Sequence, residues 1–188
     1  LYSYGNPDLV AETSDSIELL LKSAYSGVNL ELSIYNTEIE NLIEWQPDED
    51  YAYYPDNVDK ADISGVELTL TSELVGLNHQ VQLNYLDAKD SKTNEPLIRR
   101  AKHTANYQIS QTWKKLNLLA SVNYQGERED AAFDPVTFAP IRVQLPSHTL
   151  VNVSAAYQVA SDWSVALKVN NLFDKVYVTN SSYIGQPA

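Results

Sequence analysis

The residues able to do chemistry in this chain are few and scattered. Its three histidines, His79, His103 and His148, fall in separate segments with no metal-ligand spacing between them. No serine sits in a G-x-S-x-G context, so a nucleophile elbow is not written here. The six glycines are dispersed and form no phosphate-cradling loop. With no cysteine, the chain has neither a disulfide framework nor thiolate chemistry. These absences point to a protein that is not an enzyme.

What remains is suited to binding. Asp48, Glu49 and Asp50, with Asp56, Asp59 and Asp62 nearby, offer carboxylate oxygens that a Ca²⁺ ion takes. They lack the spaced pattern of an EF-hand, and a solvated acidic loop is the simpler reading. Arg99 and Arg100 stand beside a long loop, at the start of an expected strand, where successive side chains face opposite ways. One of them is therefore either a ligand donor or a rim charge paired with acidic loops or lipopolysaccharide. Exposed-type aromatics gather in the same kind of segment: Tyr51, Tyr53, Tyr54, Phe133, Phe138 and Tyr183. A formal charge of -12 argues against nucleic acid as a partner, which needs a concentrated basic surface.

The elements that must position these residues show a two-residue rhythm. Val81, Leu83 and Tyr85 alternate with Gln80, Gln82 and Asn84, and Leu116, Leu118, Ala120, Val122 and Tyr124 with Asn117, Ser121, Asn123 and Gln125. The same alternation predicts eight strands: from Asp15 to Tyr25, from Val28 as far as Trp45, Val58 to Leu74, a fourth to Ala88, a fifth from Ala101, a sixth to Arg128, and two more around Val153 and Leu167. Leu20 breaks the pattern. Tight turns are expected at 26–27, 75–77, 113–115 and 160–162. Between the pairs lie long connections, Gln46 to Asn57, Lys89 to Pro96 and Asp130 to Pro146, the last with three prolines. The tail from Asp174 is expected to start another loop and the beginning of a ninth strand.

Short turns at one edge and long loops at the other, with an apolar face opposite a polar one, describe an antiparallel up-and-down transmembrane β-barrel. Leu19, Leu32, Leu68, Leu83, Ile109, Val122, Val153 and Leu167 are expected to face lipid. Glu18, Glu31, Glu67, Asn84, Asn106, Asn123, Asn152 and Lys168 are expected to face the lumen. His103 falls on the outward side, a poor place for a catalytic group. Tyr25, Trp113, Tyr157 and Trp163 lie beside short turns, and Tyr85 and Tyr124 lie toward the long loops, as two aromatic belts would. A mean hydropathy of -0.33 is no obstacle, since only alternate residues meet lipid. The chain holds no apolar run long enough for a membrane helix, and its first residues read as neither a basic start nor an apolar signal stretch.

Three segments carry a family resemblance. GNPDLVAETSDSIE resembles the N-P-x-L-x-x-E-x-S segment of TonB-dependent outer-membrane receptors, DISGVELTLT their recurring G-V-E strand, and NNLFDKVY the N-L-F-D-K-x-Y segment before their last strand. LIRRAKH followed by YQGERED is most similar to the cobalamin (vitamin B12) branch. The resemblance implies a C-terminal portion, eight strands and a fragment, of a plugged barrel of about 22 strands. The plug, the TonB box and the usual last strand would lie outside residues 1–188. It implies transport of cobalamin with energy coupled through TonB. It also implies substrate contacts at the LIRRAKH arginine, Arg99, in the loop after YQGERED, and in the loop after NLFDK, which carries Tyr183. A ferric-siderophore receptor is the alternative within the family. A passive porin and a soluble β-sandwich binding module are the alternatives outside it.

Overall fold

The computed structural model describes residues 3–48, 52–57, 60–134 and 136–181. Among them there is no helix. Eight strands form one antiparallel sheet in the order β1 (Thr13–Tyr25), β2 (Val28–Glu40), β5 (Ala61–Leu74), β6 (Leu77–Asp90), β7 (His103–Trp113), β8 (Leu116–Gln125), β11 (His148–Ala160) and β12 (Trp163–Val169). Each wall strand pairs with its wall neighbours along the chain, so the sheet is a meander with β1 and β12 at its edges.

Four connections are two residues long: 26–27, 75–76, 114–115 and 161–162. Ser26 and Gly27, and Val75 and Gly76, all have positive φ. That is the primed turn whose twist matches the flanking strands, and glycine fills its second position at no steric cost. Because the strands alternate in direction, all four turns share one rim. The long connections share the other.

The ladder fixes the two faces. Leu32 pairs with Leu68 and Leu68 with Leu83. Val122 pairs with Val151, and Val153 with Val169. This face also carries Trp113, Trp163, Tyr25 and Tyr157, all exposed. The opposite face pairs Glu67 with Asn84, Asn106 with Asn123, and Asn152 with Ser121. Leu20 lies on that polar face opposite Ser33, as its break in the alternation requires. The accessible surface is 13417 Å² for 21.1 kDa, against about 9,000 Å² for a compact monomer of that mass. The buried apolar side chains among the described residues are Ala61, Ala88, Ala101, Ala132 and Leu145. All sit at or beyond the long-loop ends of the wall strands, and none lies between two packed sheets.

Gly65, the glycine of the G-V-E segment, sits opposite Tyr35 on the polar face. A Cβ there would meet the Tyr35 ring at 2.5 Å. The ring lies over bare backbone, which is how an aromatic residue covers a strand glycine.

The long loops contain more structure than the alternation suggests. The second strand does not run on to Trp45: it stops at Glu40, and Asn41 takes a left-handed φ of 58°, a conformation asparagine tolerates. The expected loop Gln46 to Asn57 is part of a hairpin, β3 (Ile43–Pro47) with β4 (Tyr53–Asn57). The sixth strand stops at Gln125 rather than Arg128, and the expected loop Asp130 to Pro146 is mostly a second hairpin, β9 (Arg128–Phe133) with β10 (Pro140–Leu145). Asp134 closes its tip, with Oδ1 accepting from the Val136 and Thr137 N–H groups and the Thr137 hydroxyl. The third strand is described from Ala61, while Val58 and Asp59 lie outside the described residues. The fifth begins at His103, so Arg99 and Arg100 precede it. No strand follows Val169 among the described residues.

Candidate ligand mouth at the long-loop rim

Two clusters form the rim opposite the tight turns. The first is built on the β3–β4 hairpin and the segment before β1. Asp48 closes the hairpin: its N–H donates to the Ala52 carbonyl, and its Oδ1 accepts from the Ala52 N–H, both at 2.8 Å. The Tyr4 hydroxyl donates to Asp48 Oδ2 at 3.1 Å, and the Tyr4 ring stacks on Tyr54 with centroids 5.4 Å apart. The N-P-x-L-x-x-E-x-S segment supplies the remaining ties. Asn6 accepts from the Asp8 N–H and donates to Asp56, and the Val10 N–H donates to Asn57 Oδ1. Glu12 Oε1 accepts from the Ile43 N–H at 2.8 Å. That motif is therefore a clasp between the loop leading into β1 and this hairpin.

The second cluster is built on the β9–β10 hairpin. Arg99 lies in a turn, not in a strand, with φ of 62°. Its N–H donates to the Glu129 carbonyl at 2.6 Å, and its Nε donates to Asp130 Oδ1 at 2.7 Å. Asp130 is completely buried, and its Oδ2 accepts from the Ser181 N–H at 2.7 Å. Burial alone would raise its carboxyl. The hydrogen bonds from Arg99 and from the Ser181 and Ala131 N–H groups outweigh that and hold it below the ordinary carboxylate range. Arg128, also buried and two residues back on the same side of β9, donates from Nη2 to the Val178 and Thr179 carbonyls at 3.1 and 2.7 Å. His148 stacks on Tyr177 with centroids 4.6 Å apart. Arg142 of β10 binds Glu129 at 2.7 Å, Glu95 at 3.0 Å and the Pro96 carbonyl at 2.8 Å.

The N-L-F-D-K segment also has a physical reason. Asn171 takes a positive φ, and its side chain accepts from the Lys175 N–H and donates to the Lys175 carbonyl. That turn sends the chain back over the hairpin base, where Tyr177 meets His148. The two rim clusters meet around a cavity of about 180 Å³ lined by Leu42, Glu44, Lys60, Asp90, Ile98 and Arg142.

Arg99 and the segment leading to Tyr183 come together at Asp130, whereas Phe133 lies three residues further along β9, on the opposite and exposed side of the strand. Phe133 ends β9 and is 42% exposed, and Phe138 at the hairpin tip is 70% exposed. Tyr53 and Tyr54 are half-buried on the other hairpin. Tyr51, Tyr183, Glu49 and Asp50 lie outside the described residues. Among the described residues no three His, Asp or Glu side chains converge as a metal site. His103 packs against Tyr85 on the outward face, with ring centroids 5.2 Å apart. Sequence reasoning missed Asp130, Arg128, His148, Tyr177 and Arg142. The one available signal was the two-residue spacing of Arg128 and Asp130, which puts both on one side of a strand.

Comparisons with known proteins converge on one family. Residues 1–172 match the family described as TonB dependent receptor-like, beta-barrel. The chain is 35% identical over 183 residues to the vitamin B12 transporter BtuB of Photobacterium profundum, covering 95% of this chain and 29% of that protein. It is 32% identical over 190 residues to the BtuB of Vibrio vulnificus, covering 98% and 30%. Its fold matches the ferric enterobactin receptor PfeA of Pseudomonas aeruginosa, in complex with enterobactin, with a TM-score of 0.76, 28% identity and coverage of 95% and 28%. It also matches the FpvA receptor of that organism bound to a pyoverdine, with a TM-score of 0.75, 21% identity and coverage of 95% and 26%. The chain thus spans less than a third of each of these relatives, and the porin and sandwich readings fall away. This chain belongs to the TonB-dependent receptor β-barrel family and forms part of the wall of an outer-membrane barrel.

Proposed function

We propose that this chain is the C-terminal part of the wall and mouth of an active transporter that takes up cobalamin across the outer membrane. In the complete protein the rim loops bind the vitamin, and TonB-coupled energy acting on the plug releases it toward the periplasm. The apolar face meets lipid, and the rim meets lipopolysaccharide. The observation that carries the substrate is the 35% and 32% identity to two vitamin B12 transporters over nearly the whole chain. The chemistry of the rim supports it. Cobalamin is a bulky amphipathic corrin edged with amides, and it suits exposed aromatic surface with a few fixed donors. Phe133, Phe138 and the half-exposed Arg99 side chain are of that kind.

The ferric-siderophore alternative draws on the likeness to the enterobactin receptor at 28% identity. Anionic catecholates favour a basic mouth, whereas this chain carries a formal charge of -12 and pairs Arg99 and Arg142 with carboxylates. The test is uptake of labelled cyanocobalamin by cells whose only such receptor is the complete protein. Accumulation that disappears when TonB is deleted is expected. Accumulation independent of TonB, or none at all, overturns the reading.

A further inference from the structure

The base of the β9–β10 hairpin joins two distant segments on one carboxylate. Asp130 is 0% exposed, and both its oxygens are used: Oδ1 by Arg99 Nε, Oδ2 by the Ser181 N–H. These partners lie 31 and 51 residues away along the chain. Among the described residues Arg99 gives its Nε to this contact and no terminal nitrogen to any other, and its side chain stays 55% exposed. Its backbone is held in a left-handed conformation by the bond to Glu129, the residue beside Asp130. Arg128 and His148 grip the same exit segment at Tyr177, Val178 and Thr179.

We infer that Asp130 is a positioning residue for ligand binding, fixing the Arg99 guanidinium and the 177–181 exit segment relative to each other before the ligand arrives. The inference rests on the reading that Arg99 contacts the ligand. Such preassembly removes the ordering cost that two independent loops would carry on binding. The chemistry of substitution is specific. In Asp130→Asn one oxygen becomes an NH₂, so either Arg99 Nε–H or the Ser181 N–H faces a donor and one arm of the clamp opens.

The experiment uses the complete receptor and two readouts. Cyanocobalamin binding is measured at equilibrium for the unmodified protein, Asp130→Asn, Arg99→Ala and the double variant. Asp130→Asn is expected to weaken binding about tenfold, and the double variant to be little worse than the weaker single one, because both remove the same positioned donor. Unchanged binding in Asp130→Asn, or losses that multiply, overturns the inference. The second readout is amide hydrogen exchange. Exchange across 177–181 should rise in Asp130→Asn while β8 and β11 keep their protection, whereas a general loss of stability would raise all of them. Unchanged exchange at Ser181 also overturns it. If the unmodified receptor binds no cyanocobalamin, the ligand reading falls, and the exchange result alone decides whether Asp130 holds the segment.

Discussion

Replacing Leu83 by Arg tests the two faces of the wall at their most sensitive depth. Leu83 is the seventh residue of β6, six steps from Leu77 at the turn rim. At about 3.4 Å per residue on a strand tilted about 40–45°, it lies roughly 15 Å from that rim. That is close to the middle of an apolar band about 25 Å tall. Its side chain is 45% exposed between Leu68 and Ala105, on the face that meets lipid. A guanidinium there has no water and no carboxylate within its own row, and the expected cost is about 2–4 kcal/mol. The adjacent Asn84 lies at the same depth on the other face. Its Nδ2 donates to Thr104 Oγ1 at 3.1 Å, and Glu67 stands directly opposite. Asn84→Arg loses that exposed hydrogen bond, a net effect of about 1 kcal/mol, and gains a facing carboxylate worth up to about 1 kcal/mol. The two variants should therefore differ by about 2 kcal/mol or more in a urea titration of the complete receptor in lipid vesicles. Equal costs, or a larger cost for Asn84→Arg, would refute the face assignment.

Other consequences follow from particular contacts. Gly65→Ala should destabilise the barrel by about 1–2 kcal/mol, because the Tyr35 ring occupies the space a Cβ needs. In a Tyr35→Ala background the same change should cost nothing, as measured by the same titration. Single-tryptophan versions retaining Trp113 or Trp163 should be quenched by lipids brominated near the headgroup, since both are exposed on the outward face beside tight turns, while Trp45 on β3 should not be. Asp130 has a folded-state carboxyl held below its ordinary range, so its contribution is present above about pH 4 and is lost as pH falls through the lowered value. Amide exchange across 177–181, corrected for intrinsic rate, should therefore rise on acidification below about pH 4 before that of the wall strands.

The wall was legible in the sequence because each strand obeys one local rule. Alternation at Val81 to Tyr85 and at Leu116 to Gln125 follows from lipid on one side and water on the other, and that condition acts on every residue alike. The turns at 26–27, 75–76, 114–115 and 161–162 were legible for the same local reason. The rim hairpins were not. β3 and β4 carry Pro47, Pro55 and a charged, aromatic mixture with no two-residue hydrophobic rhythm, because a ribbon standing in water has no lipid face. β9 reverses the usual pattern, burying Arg128 and Asp130 where apolar residues are expected. Arg99 was recognisable as an arginine beside a long loop, but its placement was not. Its left-handed turn and its partner Asp130 depend on packing between segments that no local pattern connects. The three family segments were readable as likenesses, and the structure supplies their causes: a clasp at Glu12, a bare strand position at Gly65 and a turn lock at Asn171.

The substrate is the central claim, and equilibrium binding to the complete receptor tests it most directly. Purified receptor in detergent is titrated with cyanocobalamin, with a ferric catecholate siderophore as the comparison ligand, and Arg99→Ala and Tyr183→Ala are titrated alongside. Saturable cyanocobalamin binding is expected, weakened by about 1–3 kcal/mol in each variant as a donor or a stacked ring is lost. Tight ferric-siderophore binding with no saturable cyanocobalamin binding would contradict the account and leave only the receptor family standing.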